Sequence, residues 1–341
     1  MSTRAFITGV SGLELTAEER AFLRAERPWG FILFKRNIDN PAQVARLVEE
    51  LRGTTGDLDA PVLIDQEGGR VQRLGPPHWP VYPPGAVFGA LYDIDPELGF
   101  QAARLSSRLM AADLVDLGIT VDCLPLADVP VEGADAVIGN RAYGTEPAKV
   151  AAIARAVTEG LEQGGILPVL KHIPGHGRAT ADTHFKLPVV DTPAAELEAI
   201  DFAAFRPLND LPMAMTAHVV FSALDAEQPA TTSATIITQV IRGSIGFQGL
   251  LMSDDVSMNA LAGSIAERTR AIVNAGCDIV LHCNGKLDEM RDVAVETPIL
   301  AGQALERARA AIAARKQPDA FDRVKGRAEL DALIARAGAS A

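Results

Sequence analysis

Three short stretches of this 341-residue chain carry side chains able to move protons or attack a carbon centre. The first is Asp65-Gln66-Glu67-Gly68-Gly69-Arg70-Val71-Gln72-Arg73. Its carboxylates and arginines suit hydroxyls or a charged group, and its paired glycines allow a tight turn or a close backbone approach. The second runs from Lys171 to His184 and holds His172, His176, Asp182 and His184. A carboxylate two residues from an imidazole can accept its N–H, fix the tautomer and raise its basicity. Asp182 and His184 therefore read as a proton-transfer dyad, and the glycines before them would let the loop move over a substrate. The third is Ser253-Asp254-Asp255, where one carboxylate is expected to face a pocket and its neighbour to cap a helix. A carboxylate in that position can attack an anomeric carbon and form a covalent glycosyl intermediate. A metal site is the competing reading of the histidine cluster. Ile-Pro-Gly between His172 and His176 breaks the helical spacing that zinc sites of the HExxH type need, so neither a metal nor another cofactor is expected.

These groups have to be held by regular elements, and the chain supplies one repeating pattern. Eight apolar, β-rich runs read as strands: Arg4–Gly9, Gly30–Phe34, Pro61–Asp65, Ile119–Leu124, Leu167–Lys171, Met213–Ala217, Gly249–Ser253 and Asp278–His282. Helical patterns lie between them at Ala17–Ala25, Pro41–Leu51, Pro96–Leu117, Pro147–Gln163, Ala194–Pro207, Ser233–Gly243 and Ile265–Ala275. Leu287–Val295 and an alanine- and arginine-rich stretch, Ala301–Lys316, follow the last strand. Proline at the first helical position marks several starts. Near-continuous apolar strands alternating with helices predict a parallel sheet covered on both faces. Eight such units predict a single (β/α)8 TIM-type barrel over residues 1–341, with a helical C-terminal tail from about 301; a doubly wound open sheet is the alternative. In a barrel, function gathers at the C-terminal strand ends. Asp65, Asp122 with Asp128, Lys171-His172, His218, Asp254-Asp255 and His282 with Asn284 all fall there, and of the six histidines His78 alone lies elsewhere.

Composition narrows the partners. The 32 basic and 44 acidic residues give a net charge of −12, which argues against nucleic acid. Arg73, Arg141 and Lys171 would be a local exception for a small ligand. No apolar run reaches the ~18 residues of a membrane span, no leader pattern is visible, and the three cysteines suit a reducing, cytoplasmic setting. Aromatic residues make up 5%, few for a groove that grips long sugar chains, but enough for a pocket that holds one terminal sugar by hydrogen bonds.

DQEGGRVQR at 65–73, GNRAYG at 139–144, KHIPGHG at 171–177, DTH at 182–184 and SDDVSM at 253–258 together resemble the bacterial β-N-acetylhexosaminidases of glycoside hydrolase family 3. The likeness is strongest to the cytoplasmic branch that recycles peptidoglycan fragments. The resemblance implies a (β/α)8 barrel and retaining hydrolysis of terminal β-linked N-acetylglucosamine. It implies Asp254 as nucleophile, His184 as acid/base with Asp182 orienting it, and Asp65, Arg73, Arg141, Lys171 and His172 as sugar-binding positions. The implied substrate is an N-acetylglucosaminyl-1,6-anhydromuramyl peptide. Lys171 or Arg141 would keep Asp254 ionised if the barrel brings them close. A phosphorylase, a hexosaminidase using the substrate's own acetamide, and a non-catalytic amino-sugar-binding barrel are the other readings.

Overall fold

In the computed structural model, residues 3–179 and 186–338 are described. Eight barrel staves follow one another along the chain: β1 (Arg4–Thr8), β2 (Pro28–Leu33), β3 (Val62–Ile64), β4 (Val121–Asp122), β5 (Leu167–Pro168 and Leu170–Ile173), β6 (Met213–Thr216), β7 (Leu250–Asp255) and β8 (Ile279–His282). Every pairing between them is parallel. The ring closes through β5, which is interrupted at Val169. Its first half pairs with β4 (Val121↔Leu167) and its second half with β6 (Ala214↔Leu170). The Val169 N–H bridges the break by donating to the Leu124 carbonyl at 2.7 Å. β1 pairs with β8 (Phe6↔Val280) on one side and β2 on the other. The predicted barrel is therefore the observed fold, and the open sheet is excluded.

Strand side chains alternate as a stave covered on both faces requires. Ile7, Ile32, Leu63, Val121, Leu167, Met213, Met215, Leu250, Met252, Ile279 and Leu281 fill the barrel interior. Phe6, Phe31, Leu33, Val62, Ile64, Leu170, Ala214, Leu251 and Val280 face the helices. Those helices are α1 (Ala17–Glu26), α2 (Pro41–Thr55), α3 (Gly85–Ile94), α4 (Pro96–Val115), α5 (Pro147–Gln163), α6 (Ala194–Ala199), α7 (Ile265–Ala275), α8 (Leu287–Glu296), α9 (Gly302–Ala313) and α10 (Arg323–Gly338). Thr16 and Ser264 begin α1 and α7 with reciprocal capping boxes to Glu19 and Glu267.

Several helices differ from the periodicity reading. The segment read as one helix over Ala194–Pro207 is helical only to Ala199. It then folds into 3-10 turns at Phe202–Ala204 and Arg206–Leu208, which bury Phe202, Phe205 and Leu208. Ile236–Ser244 winds as a wider π-helix. α3 has no counterpart in the periodicity reading, whereas α9 and α10 make up the expected helical tail from about 301. α9 closes the barrel floor, where Ala308 and Ala311 join the interior cluster. Arg307 on α9 donates to Asp278 at 3.0 Å, and Arg242 holds the other carboxylate oxygen at 2.8 Å.

Candidate active site

The first motif folds back on itself. Gln66–Gly68 and Val71–Gln72 form a small antiparallel pair, with Gly68 and Gly69 turning at φ 91° and 55°. A Cβ on Gly68 would lie 2.3 Å from the Pro83 carbonyl oxygen, so the paired glycines serve the tight turn. Buried Gln66 fixes the return strand: its Oε1 accepts from the Arg73 and Leu74 N–H groups at 3.0 Å each. Arg73 is thereby delivered to Asp65, 2.9 Å away.

Lys171 donates from β5 to Asp65 at 2.9 Å and lies 2.7 Å from Glu67. Arg141 grips Glu67 with two hydrogen bonds of 2.8 Å. Burial alone would push these carboxyls up. Lys171 and Arg73 nevertheless hold Asp65 well below the ordinary range, and Arg141 with Lys171 holds Glu67 down at about 2. Burial also works against the charge of Lys171 and Arg141, but the carboxylates outweigh it and raise both. The result is an alternating line of fixed donors and acceptors that suits sugar hydroxyls.

Bulges place the remaining groups. On β5, Met215 pairs with Lys171 but Thr216 pairs with Ile173, so the extra residue brings both Lys171 and His172 to the pocket. The β7 register slips in the same way between Met252 and Asp255. His172 Nδ1 lies 2.7 Å from Asp128, whose other oxygen accepts the His176 N–H at 2.7 Å. Gly177 belongs to this turn because a Cβ there would sit 2.0 Å from the Val129 carbonyl oxygen. Burial, then neighbouring His172, lowers the His176 imidazole to about 4 and keeps it neutral.

The two neighbouring aspartates divide their tasks. Asp255 accepts from the Ser257 N–H and hydroxyl at 3.0 and 2.6 Å and from the Cys283 N–H at 3.0 Å. Asp254 accepts the Asp255 N–H at 2.7 Å. Burial would raise the Asp254 carboxyl, but His218, His172 and that amide bring it below its ordinary value. This corrects the sequence expectation that Lys171 or Arg141 would keep Asp254 charged: both cations are engaged with Asp65 and Glu67, and imidazoles take that place. Cys283 also borders the pocket, but burial, then Asp255 and Asp65, keep its thiol protonated and unreactive.

Asp65, Arg73, Arg141, Lys171, His172 and Asp254 thus line one pocket of about 750 Å³, counted out to its open mouth, at the C-terminal ends of the staves. Asp182 and His184 lie outside the described residues. Glu67, Asp128 and His176 belong to the same constellation but were not among the site residues anticipated. Glu67 had a signal, since it follows Asp65 by two positions in one motif; Asp128 had none beyond lying near a strand end. Among the described residues, no group of three His, Cys, Asp or Glu side chains is arranged to hold a metal ion. None of their helices is long and apolar enough to cross a membrane.

A barrel with a carboxylate and paired charges at this end is shared by many enzymes, and a family match is more selective. Residues 7–314 match the model of the glycosyl hydrolase family 3 N-terminal domain. The chain belongs to glycosyl hydrolase family 3. It is similar to the β-hexosaminidase of Bordetella avium, at 36% identity over 91% of this chain and 88% of the relative. The β-hexosaminidase of Xanthomonas axonopodis pv. citri is 39% identical over 82% and 84%. Among solved structures, NagZ from Neisseria gonorrhoeae in complex with N-trifluoroacetyl-D-glucosamine superposes with a TM-score of 0.84 at 32% identity, covering 99% and 98% of the two chains. Membership and these relatives make this protein a glycoside hydrolase of the β-hexosaminidase type.

Proposed function

We propose that the protein is a retaining exo-β-N-acetylglucosaminidase that removes terminal β-linked N-acetylglucosamine. The observation that carries this reading is the ionised Asp254 at the end of β7, in one pocket with the Asp65–Lys171–Glu67–Arg141 line. In the first half-reaction an Asp254 carboxylate oxygen attacks the anomeric carbon. The glycosidic C–O bond breaks, and the leaving oxygen takes a proton from His184. In the second, water attacks the same carbon and gives its proton to His184, and Asp254 departs as the carboxylate. Asp182 orients His184. Asp65, Arg73, Arg141, Lys171 and His172 hold the sugar, with carboxylates accepting from hydroxyls and cations donating to them.

The substrate in this reading is an N-acetylglucosaminyl-1,6-anhydromuramyl peptide met in the cytoplasm during cell-wall recycling, and the whole chain acts as one catalytic barrel. Support comes from the motif resemblance and from the solved relative's N-acylated glucosamine ligand.

A chromogenic β-N-acetylglucosaminide, compared with the β-glucoside and β-N-acetylgalactosaminide, tests reaction and acetamide requirement together. Turnover of the first, unaltered by added phosphate, is expected. A fluorinated N-acetylglucosaminyl inactivator should leave a covalent label on Asp254, read by mass spectrometry, and Asp254→Ala should abolish turnover with the fold intact. No adduct under any condition would favour attack by the acetamide instead. His184→Gly should spare glycosylation by substrates with very good leaving groups and slow hydrolysis of less activated ones. Equal, modest losses on all of them would count against that role.

A further inference from the structure

We infer that His218, a residue outside the substrate-binding set, is the positioning residue for Asp254, acting through a closed hydrogen-bonded ring with Thr216 and Thr231. The inference rests on the reading of Asp254 as nucleophile. Thr216 ends β6, His218 lies two residues on, and Thr231 sits in the short 3-10 turn Ala230–Thr232. All three side chains are fully buried.

The ring begins and ends on the backbone that carries Asp254. The Asp254 N–H donates to Thr216 Oγ1 at 3.3 Å. Thr216 Oγ1 lies 2.8 Å from Thr231 Oγ1, which lies 2.8 Å from His218 Nδ1. His218 Nε2 then meets the Asp255 carbonyl oxygen at 3.0 Å. Donor and acceptor identities give the ring a direction. A carbonyl only accepts, so Nε2 carries a proton towards the Asp255 carbonyl, and Nδ1 lies against the Thr231 hydroxyl. Thr231 in turn accepts from Thr216, whose oxygen remains free to accept the Asp254 amide. The Thr231 hydroxyl itself donates to the Ala217 carbonyl at 2.9 Å.

The peptide unit before Asp254 and the one after Asp255 are therefore tied to one buried cluster. The β7 bulge would otherwise leave this stretch without a regular ladder, because the register slips between Met252 and Asp255. An attacking carboxylate must approach its carbon within a narrow geometry, and a displacement of about 1 Å can cost about 10²-fold in rate. The imidazole also stands close enough to favour the carboxylate form of Asp254.

The test measures the rate at which 5-fluoro-N-acetylglucosaminyl fluoride labels Asp254 in wild type, His218→Phe, His218→Gln, Thr231→Val and the Phe/Val double variant. His218→Phe should slow labelling about 100-fold with KM for a chromogenic substrate changed less than about threefold. His218→Gln, whose amide can reach the Asp255 carbonyl, should recover to within about tenfold of wild type. The double variant should be no slower than His218→Phe, because both changes break one ring. Wild-type labelling in His218→Phe, equal losses in the Gln and Phe variants, or additive losses in the double variant would overturn the inference. If His218→Phe fails to fold, His218→Gln against Thr231→Val carries the same comparison: a loss with Thr231→Val that exceeds the loss with Gln supports the ring, and the reverse overturns it. A wild-type enzyme that takes no label at Asp254 removes the nucleophile reading itself, an outcome distinct from any difference among variants.

Discussion

The ammonium of Lys171 is the hinge of the pocket's electrostatics. It lies within 2.9 Å of the half-buried Asp65 carboxylate and 2.7 Å of the buried Glu67 carboxylate, and it is itself 2% exposed. Removing one member of such a cluster strands the others, which is costlier than the cluster is worth intact. Lys171→Met should destabilise the protein by about 3–5 kcal/mol at neutral pH, measured by urea unfolding. The deficit should shrink as the pH falls towards 4, because protonation relieves the stranded Asp65 and Glu67. A second buried acid behaves in the opposite sense. Asp122 accepts the Gln66 N–H at 2.9 Å, its other oxygen has no hydrogen-bond partner among the described residues, and burial raises its carboxyl well above the ordinary value. Its proton is kept in the folded state at a pH where the unfolded chain releases it, so stability falls as pH rises through the unfolded value. Asp122→Asn should therefore raise the melting temperature at pH 7 and lose that advantage below about pH 4, where the carboxyl of the unfolded chain is protonated too. A gain that is the same at both pH values would refute the assignment.

At the scale of elements, strand ends explain most of what the sequence allowed to be read. Near-continuous apolar runs mark all eight staves, although their paired cores are shorter: β4 is only Val121–Asp122 where Ile119–Leu124 reads as strand. Bulges escaped that reading, since one inserted residue leaves the apolar pattern nearly intact while turning His172 or Asp254 towards the pocket. The same limit hid the interruption of β5 and the 3-10 turns after α6, both fixed by packing of distant segments. Glu67, two residues from Asp65, was legible in principle; the Asp128 clamp on His172 and His176 depends on a fold contact with no sequence spacing. Gly177 shows how closely these loops meet. A methyl group there would strike the Val129 carbonyl at 2.0 Å, so the β4 and β5 loops would have to separate. Gly177→Ala should lower kcat/KM at least about tenfold, because displacement of His172 and His176 by a fraction of an ångström is enough. Chromogenic assays with and without a compensating Val129→Gly change measure it. No recovery would be expected, since the collision is with backbone rather than side chain.

For the whole molecule, the acidic net charge of −12 and the pocket's cations have to be reconciled. Arg73, Arg141 and Lys171 are each paired with Asp65 or Glu67, and the Asp254 carboxylate in the same pocket balances the third positive charge. The pocket is thus polar without a large net field, as a neutral sugar requires. The scarcity of aromatics agrees with this: both tryptophans are buried, and Phe34 in the pocket wall is flanked by the guanidinium groups of Arg36 and Arg73 at 5.0 and 5.2 Å.

The closed ring also bears on how the chain is made. β1 finds β2 soon after synthesis, but its other neighbour, β8, is nearly 275 residues further on by the Phe6↔Val280 pairing. Thr3 waits still longer, for the N–H of Leu300. A growing chain at the ribosome therefore exposes one flank of this stave until the other seven have emerged. Of the eight staves, the first to be synthesised is the last to be sheltered on both sides, and a chaperone's hold would be needed most while that flank stands open.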